Sequence, residues 1–333
     1  MIKFIFSAAL AATSVTFFAQ VNPTSAEETN MKTLAAVQDT GWAVSGLVNI
    51  GATGTMFSQW ASGGINSIGV NGLFNGQANY RKGKNAWDNN VVIGYGLLKQ
   101  GFESNVPWVK TDDRFDLTSK YGRPLNAKWN YAALLNLNSQ FSPGFATGGD
   151  GRPDRTAKIS DFLAPARVLF AIGLDHKPTS TISVFISPIT YRGIYVGNEN
   201  LANAGAFGVE KAVYDTEGNI LTPGEHLRNE MGAYVRVNHN QKFLGEKLNW
   251  TNKLELFSNY LDNPQNMDIN FESIAAYKVT KNIGISLSLQ LIYDDNTQLS
   301  KGEFTDNNGI TRQDIGPGLQ SKYVMNVGFV RTF

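Results

Sequence analysis

The sequence predicts an all-β protein, a transmembrane antiparallel up-and-down β-barrel of about twelve strands with long external loops and short periplasmic turns. Three observations carry this prediction. Apolar and polar residues alternate along segments of 11 to 15 residues, the connections between segments alternate between short and long, and the last segment ends in an aromatic residue, Phe333. A strand that crosses a bilayer at a tilt needs about 9–11 residues, which these segments supply.

Composition narrows the functional classes. The 333 residues include 17% charged residues, 33 Gly and no Cys, and the net charge is +1. The charged fraction is below the average of about 25%, and no apolar run reaches the roughly 20 residues of a membrane-spanning helix. The 20 Phe, 12 Tyr and 6 Trp argue against a disordered chain. The charge balance gives no footprint for nucleic acid, and the absence of Cys excludes disulfides and Cys-ligated zinc. We expect no cofactor.

The N-terminus predicts export. Lys3 precedes an apolar stretch from Phe4 to Phe18, which has the proportions of a signal peptide and is too short to span a bilayer. We assign residues 1–20 to this signal, with cleavage as late as residue 26, and residues 21–41 to a periplasmic segment. The barrel then covers 42–333. A buried N-terminal helix is the alternative.

Each predicted strand depends on alternation with a period of two residues. The clearest example places Ile283, Ile285 and Leu287 on one face, with Gly284 and Ser286 on the other. The same pattern predicts twelve strands in chain order. They are 42–53, 66–80, 86–100, 110–121, 129–141, 165–177, 180–192, 228–241, 247–259, 267–279, 283–294 and 321–333.

The connections alternate in length as in an outer-membrane barrel. Five are short turns: 81–85, 122–128, 178–179, 242–246 and 280–282. Six are mostly long and are predicted to be external: 54–65, 101–109, 142–164, 193–227, 260–266 and 295–320. An even strand number returns the C-terminus to the periplasmic side, which places the protein in the outer membrane.

The strand ends support the same assignment. Tyr323, Met325 and Phe329 share a face with Phe333, and this pattern resembles the C-terminal signal that bacterial barrels present to the assembly machinery. Aromatic residues at other strand ends, such as Trp87 and Trp129, fit the interfacial girdles that contact outer-membrane lipid. A secreted β-sandwich is the alternative, but its strands would be shorter and its loops less regular.

Seven segments resemble one family of barrels. They are WASGGINS (60–67), WDNNVVIGYGLLKQG (87–101), KTDDRFDLTSKYG (110–122), ISDFLAPA (159–166), AGAFGV (204–209), LFSNYLDNPQN (256–266) and LIYDD (291–295). The family is known mainly from Bacteroidetes and is catalogued as a domain of unknown function. The resemblance covers nearly the whole mature chain and implies an outer-membrane barrel, but it implies no activity.

The parity that directs apolar side chains to lipid directs charged side chains inward. The predicted lumen network consists of Arg114, Asp116, Glu230, Arg236, Lys253, Glu255 and Glu272. Barrels of about eight strands are filled by side chains, and those of 16 to 18 leave a channel. A barrel of twelve strands lies between these limits. The mixed charges therefore predict either a network that seals the bore or a narrow polar pore, and we favour partial sealing.

A second set of candidates lies at the external rim. It consists of Asp112, Asp113, Asp161, Asp262, Asp294 and Asp295. Carboxylates are ligands for hard cations such as Ca²⁺, so an ion or partner site is one interpretation. Turn capping and solvation of loops is the simpler interpretation, because Asp commonly serves both purposes. We therefore predict no metal ion.

The number and position of the histidines bear on whether the protein is an enzyme. Barrel phospholipases and rim proteases use a histidine base, and this chain has only three histidines. His176 and His239 are predicted near the periplasmic ends of strands, and His226 in a long external loop. No G-x-S-x-G or H-E-x-x-H motif occurs. We predict a protein without catalytic residues.

Two functions remain nearly level. One is a narrow or gated conduit for small solutes, which the polar lumen favours. The other is an envelope component that binds partner proteins through its external loops, which the long loops favour. A hydrolase has support only from the strand number.

Overall fold

A computed structural model describes residues 41–332 apart from 57, 59–65, 102–105, 148–152, 246, 281–282, 306–310 and 330. The predicted signal peptide, the segment that follows it up to residue 40, and Phe333 lie outside the described residues. So does most of the motif at 60–67.

Twelve long antiparallel strands form one sheet. They are β1 (Gly41–Thr55), β2 (Ser67–Lys82), β3 (Asn85–Gln100), β4 (Val109–Pro124), β5 (Trp129–Ser139), β8 (Ala166–His176), β9 (Ile182–Tyr195), β12 (Leu227–Phe243), β13 (Leu248–Asn259), β14 (Asp268–Lys278), β15 (Ile283–Thr305) and β16 (Thr311–Phe329). Each pairs with its neighbour in this order. A short strand β17 (Arg331–Thr332) continues β16 and pairs with β1, with Leu47 opposite Thr332, so the sheet closes into a barrel. The predicted fold class is confirmed.

The predicted strand boundaries agree with the structure except in the last hairpin. The sequence predicts a loop over 295–320, and this prediction is wrong: β15 and β16 pair beyond Tyr293, from Gln298 opposite Pro317 to Thr305 opposite Thr311. The hairpin therefore extends past the rim, and Asp294 and Asp295 lie within a strand. Polar residues in this part of the chain still pair as strands because the main chain supplies the hydrogen bonds.

The outer surface of the barrel is apolar. Side chains at every second position are exposed on this surface, including Ile50, Ile172, Ile189 and Leu287. At the end that carries the short turns (the short-turn end), four aromatic residues lie side by side in one register row across β1 to β4. They are Trp42, Tyr80, Trp87 and Tyr121. The four strand ends that carry these aromatic residues are therefore at the same level of the barrel.

A β-bulge near Pro188 interrupts the regular ladder of β9 with both of its neighbours. Proline has no amide hydrogen for the ladder and is tolerated within a sheet at such irregularities. The register of β9 shifts against both neighbours here, between Ile172 and Leu174 on one side and between Gly232 and Tyr234 on the other. A Cβ at Gly173 would collide with the main-chain carbonyl of Ile186, so only glycine allows this close approach.

The opposite end (the long-loop end) carries short elements of its own. One connection forms the hairpin β6 (Gly144–Thr147) and β7 (Pro153–Ser160). Another contains helix α1 (Glu199–Asn203), the 3₁₀ turn Ala206–Gly208, and the hairpin β10 (Val213–Tyr214) and β11 (Ile220–Thr222). In the described part of the chain, no helix has the length and apolarity needed to cross a membrane.

Candidate functional site: a charged lumen beneath a lid

Among the described residues, many charged side chains are grouped in ion pairs on the inner wall of the barrel. All seven predicted lumen residues lie on inward-facing positions of β4, β12, β13 and β14, and each takes part in an ion pair. These pairs form three groups, which we describe from the long-loop end to the short-turn end.

The group nearest the long-loop end is built on Glu230 of β12. Its carboxylate is fully buried and pairs with both Arg192 and Arg228. Arg192 also reaches Asp268 of β14 at 2.5 Å, and Arg228 donates to the side chain of Asn296 at 2.6 Å. Because β14 and β15 lie several strands away from β9 and β12, these arginines bridge across the curvature of the wall.

The middle group is built on Glu255 of β13. This carboxylate accepts hydrogen bonds from the Tyr234 hydroxyl at 2.6 Å and from Asn270 Nδ2 at 2.8 Å. Lys253 Nζ lies 3.7 Å from Glu255 and 3.5 Å from Glu272. One lysine therefore links two carboxylates on adjacent strands.

The third group lies on β4, β5 and β8. Asp116 pairs with Arg114 at 3.5 Å and accepts a hydrogen bond from Asn136 Nδ2 at 2.9 Å. Closer to the short turns, Lys120 Nζ lies 2.9 Å from Asp175. The Asp175 side chain is 3% exposed, so this pair is shielded from solvent.

The groups are coupled across the bore. Arg236 of β12 pairs with Glu255 at 3.8 Å and also acts electrostatically on Lys120 of β4. Lys253 of β13 is within electrostatic range of Asp116. Since β4 and β13 lie far apart in the sheet order, charges on distant parts of the wall influence one another across the lumen.

Apolar side chains fill part of the lumen beside these charges. Leu134, Phe185, Tyr234 and Phe257 belong to one buried cluster that also includes Ala132 and Ala171. Two cations lie over its rings: Arg192 is 4.0 Å from the centre of the Phe257 ring, and Lys120 is 5.6 Å from that of Phe185. The alternation of the sequence does not predict this cluster, because its members occur singly at inward positions that otherwise carry polar residues.

The long connection after β9 folds back over the mouth of the barrel. We call residues 196–212 the lid. Val196, Leu201, Ala202 and Val209 of the lid are buried together with Ala164 of the neighbouring connection. Two of the family-like segments, 159–166 and 204–209, thus meet in one small apolar cluster.

Polar contacts fix the base of the lid. Asn198 caps helix α1 by accepting a hydrogen bond from the Leu201 amide, and its Nδ2 donates to Asp161 Oδ2 at 2.8 Å. Asp161 also accepts from Lys158 Nζ at 2.6 Å, and this hydrogen bond holds the pKa of the Asp161 carboxyl below its usual range. Asp161 is therefore the anchor between two external connections.

The 3₁₀ turn of the lid reaches the lumen charges. The Phe207 ring lies 5.9 Å from the guanidinium carbon of Arg167 on β8, and Gly208 lies against Arg228, where a Cβ would collide with the guanidinium group. Phe207 has a positive φ of 59°, which is unfavourable for a residue with a side chain. The surrounding structure maintains this conformation, with Gly205 and Gly208 on either side.

The six predicted rim aspartates do not form one cluster. The Asp112 side chain packs against Gly94 on the inner face of the barrel, and Asp161 anchors the lid. Asp262 and Asp295 line a shallow cleft at the ends of β13 to β15 together with Asn296 and Asp268. Asp294 Oδ1 accepts a hydrogen bond from the Asn296 amide at 2.9 Å. Among the described residues, no group of three or more His, Asp or Glu side chains is arranged to hold a metal ion.

The Asp113 carboxylate accepts several hydrogen bonds that stabilise the local structure. A register shift in β4 separates Lys110 from Asp112, and Lys110 Nζ donates to Asp113 Oδ2 at 3.0 Å. The same carboxylate accepts hydrogen bonds from the amides of Phe141 and Ser142 at 2.7 and 2.8 Å. With its side chain 2% exposed, Asp113 fixes the start of the connection after β5.

The three histidines lie apart from one another. The His176 ring stacks 4.2 Å from Trp129, and His226 Nδ1 donates to the carbonyl of Val196 at 2.6 Å. His239 accepts a hydrogen bond from Asn252 Nδ2 at 3.1 Å. Ser273 is in the same register row, but Asn252 stands between His239 and this serine, which is the wrong order for a histidine to activate the hydroxyl.

Sequence reasoning missed several charged residues of the lumen. They are Lys120, Arg167, Asp175, Arg192 and Arg228. Each lies within or at the edge of a predicted strand and has inward parity, so the same alternation that identified Glu230 was available for them. Their partners were not predictable, because pairing across several strands depends on how the barrel curves.

The fold and its inner wall define the class of protein: a closed antiparallel β-barrel with an apolar exterior, a charged interior and a lid. Residues 53–145 match the model of a family described as a protein of unknown function (DUF3078). This match covers under a third of the chain and includes the segments at 87–101 and 110–122. No curated protein matches the chain.

Three solved structures align with most of this chain. The COG4313 outer membrane channel from Pseudomonas putida F1 has 12% identity and a TM-score of 0.39 over 89% of this chain and 97% of that chain. The NanC porin has 12% identity and a TM-score of 0.35 over 86% and 99%. The translocator domain of the autotransporter NalP from Neisseria meningitidis has 11% identity and a TM-score of 0.36 over 90% and 92%. These values are too low to transfer a function.

Proposed function

We propose that the protein is a non-enzymatic outer-membrane β-barrel that serves as a narrow, lid-gated conduit for small polar solutes, here in its closed state. One observation carries the proposal: the lid reaches into the mouth of a charge-lined lumen and contacts the arginines of its wall. A rigid structural plug would not need a charged passage beneath it.

The membrane location rests on the outer surface. A closed antiparallel barrel satisfies the hydrogen bonds of its spanning strands internally, which lipid requires. Its exterior is apolar, and the row of Trp42, Tyr80, Trp87 and Tyr121 lies at the level expected for a membrane interface. The signal-like N-terminus and the even number of strands favour the outer membrane over other locations.

Gating is favoured over permanent sealing by how the lid is held. The lid is joined to the neighbouring connection through side chains and single main-chain hydrogen bonds, such as Gly197 N to Leu163 O at 2.9 Å, and no lid residue pairs in the barrel sheet. Contacts of this kind break at lower cost than a strand ladder, because local regions with few shared hydrogen bonds open independently of the core.

The lid is tested by loosening its apolar cluster. Leu201 is 7% exposed, and Leu201→Ser removes buried apolar volume at a cost of about 2–4 kcal/mol. We expect this variant to raise the conductance of the protein in planar bilayers severalfold above a nearly silent wild type. Leu221→Ser is the matched control, since Leu221 belongs to the same connection but is 66% exposed.

Two outcomes would contradict gating. A wild type that passes the same steady current as Leu201→Ser would show that the lid does not limit access. Silence of both proteins, with folded barrels confirmed by circular dichroism, would show that the bore is sealed below the lid.

A second candidate function is an envelope component that binds partner proteins through its external loops. The β10–β11 hairpin favours it, because Val213, Tyr214, Ile220 and Leu221 are all 46% or more exposed on two short strands. Exposed apolar residues grouped in this way are typical of interaction surfaces. Leu221→Ser would weaken partner capture if this function is correct, whereas Leu201→Ser acts on the conduit.

A further inference from the structure

We propose that Arg167 forms a binding subsite for the oxyanion group, carboxylate or phosphate, of a small solute beneath the lid. This inference rests on the proposed conduit and names the chemistry of what the conduit accepts. The juxtaposition that carries it is an exposed, unpaired guanidinium group next to an aromatic ring that the lid holds in the mouth.

Register places Arg167 inside the barrel. It lies opposite Asn138 of β5 on one side and Ile194 of β9 on the other. Asn138 hydrogen-bonds Asp116 of the lumen network, and Ile194 is 4% exposed on the inner wall. Arg228 is opposite Ile194 from the next strand, so Arg167 and Arg228 lie in one row with a single apolar residue between them.

The arginines of this region differ in their partners. The side chains of Arg192 and Arg228 are 16% and 14% exposed, and both pair with Glu230. Arg167 is exposed within the mouth, and no described carboxylate lies within ion-pair distance of it. Asp294 attracts it only from longer range, while Arg192 repels it.

An arginine side chain stays charged at any physiological pH, and its planar group presents paired donors that match a carboxylate or phosphate. Because no described carboxylate occupies these donors, they are available to a bound oxyanion, and hydrogen bonds between charged partners are stronger than neutral ones. Arg167 therefore has donors to offer, whereas Arg192 and Arg228 are already paired with Glu230 and Asp268.

The lid contributes an aromatic wall to the subsite. Phe207 lies 5.9 Å from the Arg167 guanidinium carbon, within the range of a cation–π contact. Phe207 adopts a positive φ in this position, although this backbone conformation has an energetic cost. A ring over the guanidinium leaves the edge of the group, where the hydrogen-bond donors lie, available to a ligand.

The subsite is tested by binding and not by current. Succinate and inorganic phosphate are the probes, and ligand-observed NMR on the detergent-solubilised full chain measures their affinity. We expect at least one of them to bind, with affinity that falls about tenfold or more in Arg167→Gln. Arg167→Lys, which keeps the charge but loses the fork, should fall between the two. Arg123→Gln, at the exposed last residues of β4 on the short-turn end, should bind like wild type.

The outcomes separate this subsite from the proposed function. Equal affinity in wild type and Arg167→Gln, or no binding of either probe to wild type, would overturn the subsite and leave the conduit standing. Binding that depends on Arg167 in a protein whose Leu201→Ser variant passes no current would support the subsite and refute the conduit. Whether succinate or phosphate binds more tightly identifies the oxyanion that the site prefers.

Discussion

At the scale of single residues, Glu230 shows how a buried charge is held in the wall of the barrel. Its carboxylate is fully buried, and among the described residues its counter-charges are Arg192 and Arg228. Removing one member of a buried ion group is strongly destabilising, because the remaining charges have lost both solvent and partner. Glu230 is therefore one of the groups that hold these two arginines against the wall, together with Asp268 and Asn296.

Glu230→Gln should lower the free energy of unfolding by about 3–5 kcal/mol. The measurement is urea unfolding in lipid vesicles, followed by tryptophan fluorescence. Glu272→Gln provides the comparison, because Glu272 has one partner at 3.5 Å and a side chain 16% exposed, and we expect a smaller effect. Equal losses in the two variants would mean that burial of Glu230 does not decide its contribution.

At the residue level, the sequence predicts which face of a strand a side chain occupies, because parity alone decides it. Arg114, Glu255 and the other predicted lumen residues face inward because every second residue of a strand does. The sequence does not predict the ion-pair partners of these residues. Nothing in it says, for example, that Arg192 reaches Asp268 on β14. That contact depends on the curvature of the wall, which no local pattern encodes.

At the scale of elements, strands were predictable and connections were not. A membrane-facing strand repeats one rule over ten or more residues, so its signal accumulates. The lid has no such repeat: α1 has only five residues, and its position follows from contacts with Ala164 and Asp161 of another connection. The prediction over 295–320 failed for a related reason, since the extension of β15 and β16 carries polar residues on both faces.

The depth of a residue on the lipid face gives a prediction for β15. Leu287, near the middle of the spanning part, and Ile283, near its short-turn end, share the outward face and are 55% and 46% exposed. Leu287→Arg should cost roughly 2–4 kcal/mol and Ile283→Arg about 0–1 kcal/mol, because the cost falls towards the interface. Folding yield into vesicles measures both. Similar yields would place the bilayer at a different level of the barrel.

At the scale of the whole molecule, the apolar exterior leads to a prediction about where the protein resides. The protein should fractionate with the outer membrane and remain there after a carbonate wash, since its outward side chains have no other place to be buried. Immunoblotting of separated inner and outer membranes measures this. Recovery as a soluble periplasmic monomer without detergent would refute a membrane barrel, and recovery with the inner membrane would refute the location.

Closure of the barrel has a consequence for the order of folding. Every other ladder of the barrel joins strands that follow one another among the twelve, but Leu47 and Val48 pair with Thr332 and Arg331 from the far end of the chain. Contacts of large sequence separation carry the highest entropic cost and form late. Until they form, β1 and β16 are open edges of a curved sheet, ready to pair with any other strand. A cell that makes this protein therefore has to shield two unpaired edges for as long as the first strand waits for the last.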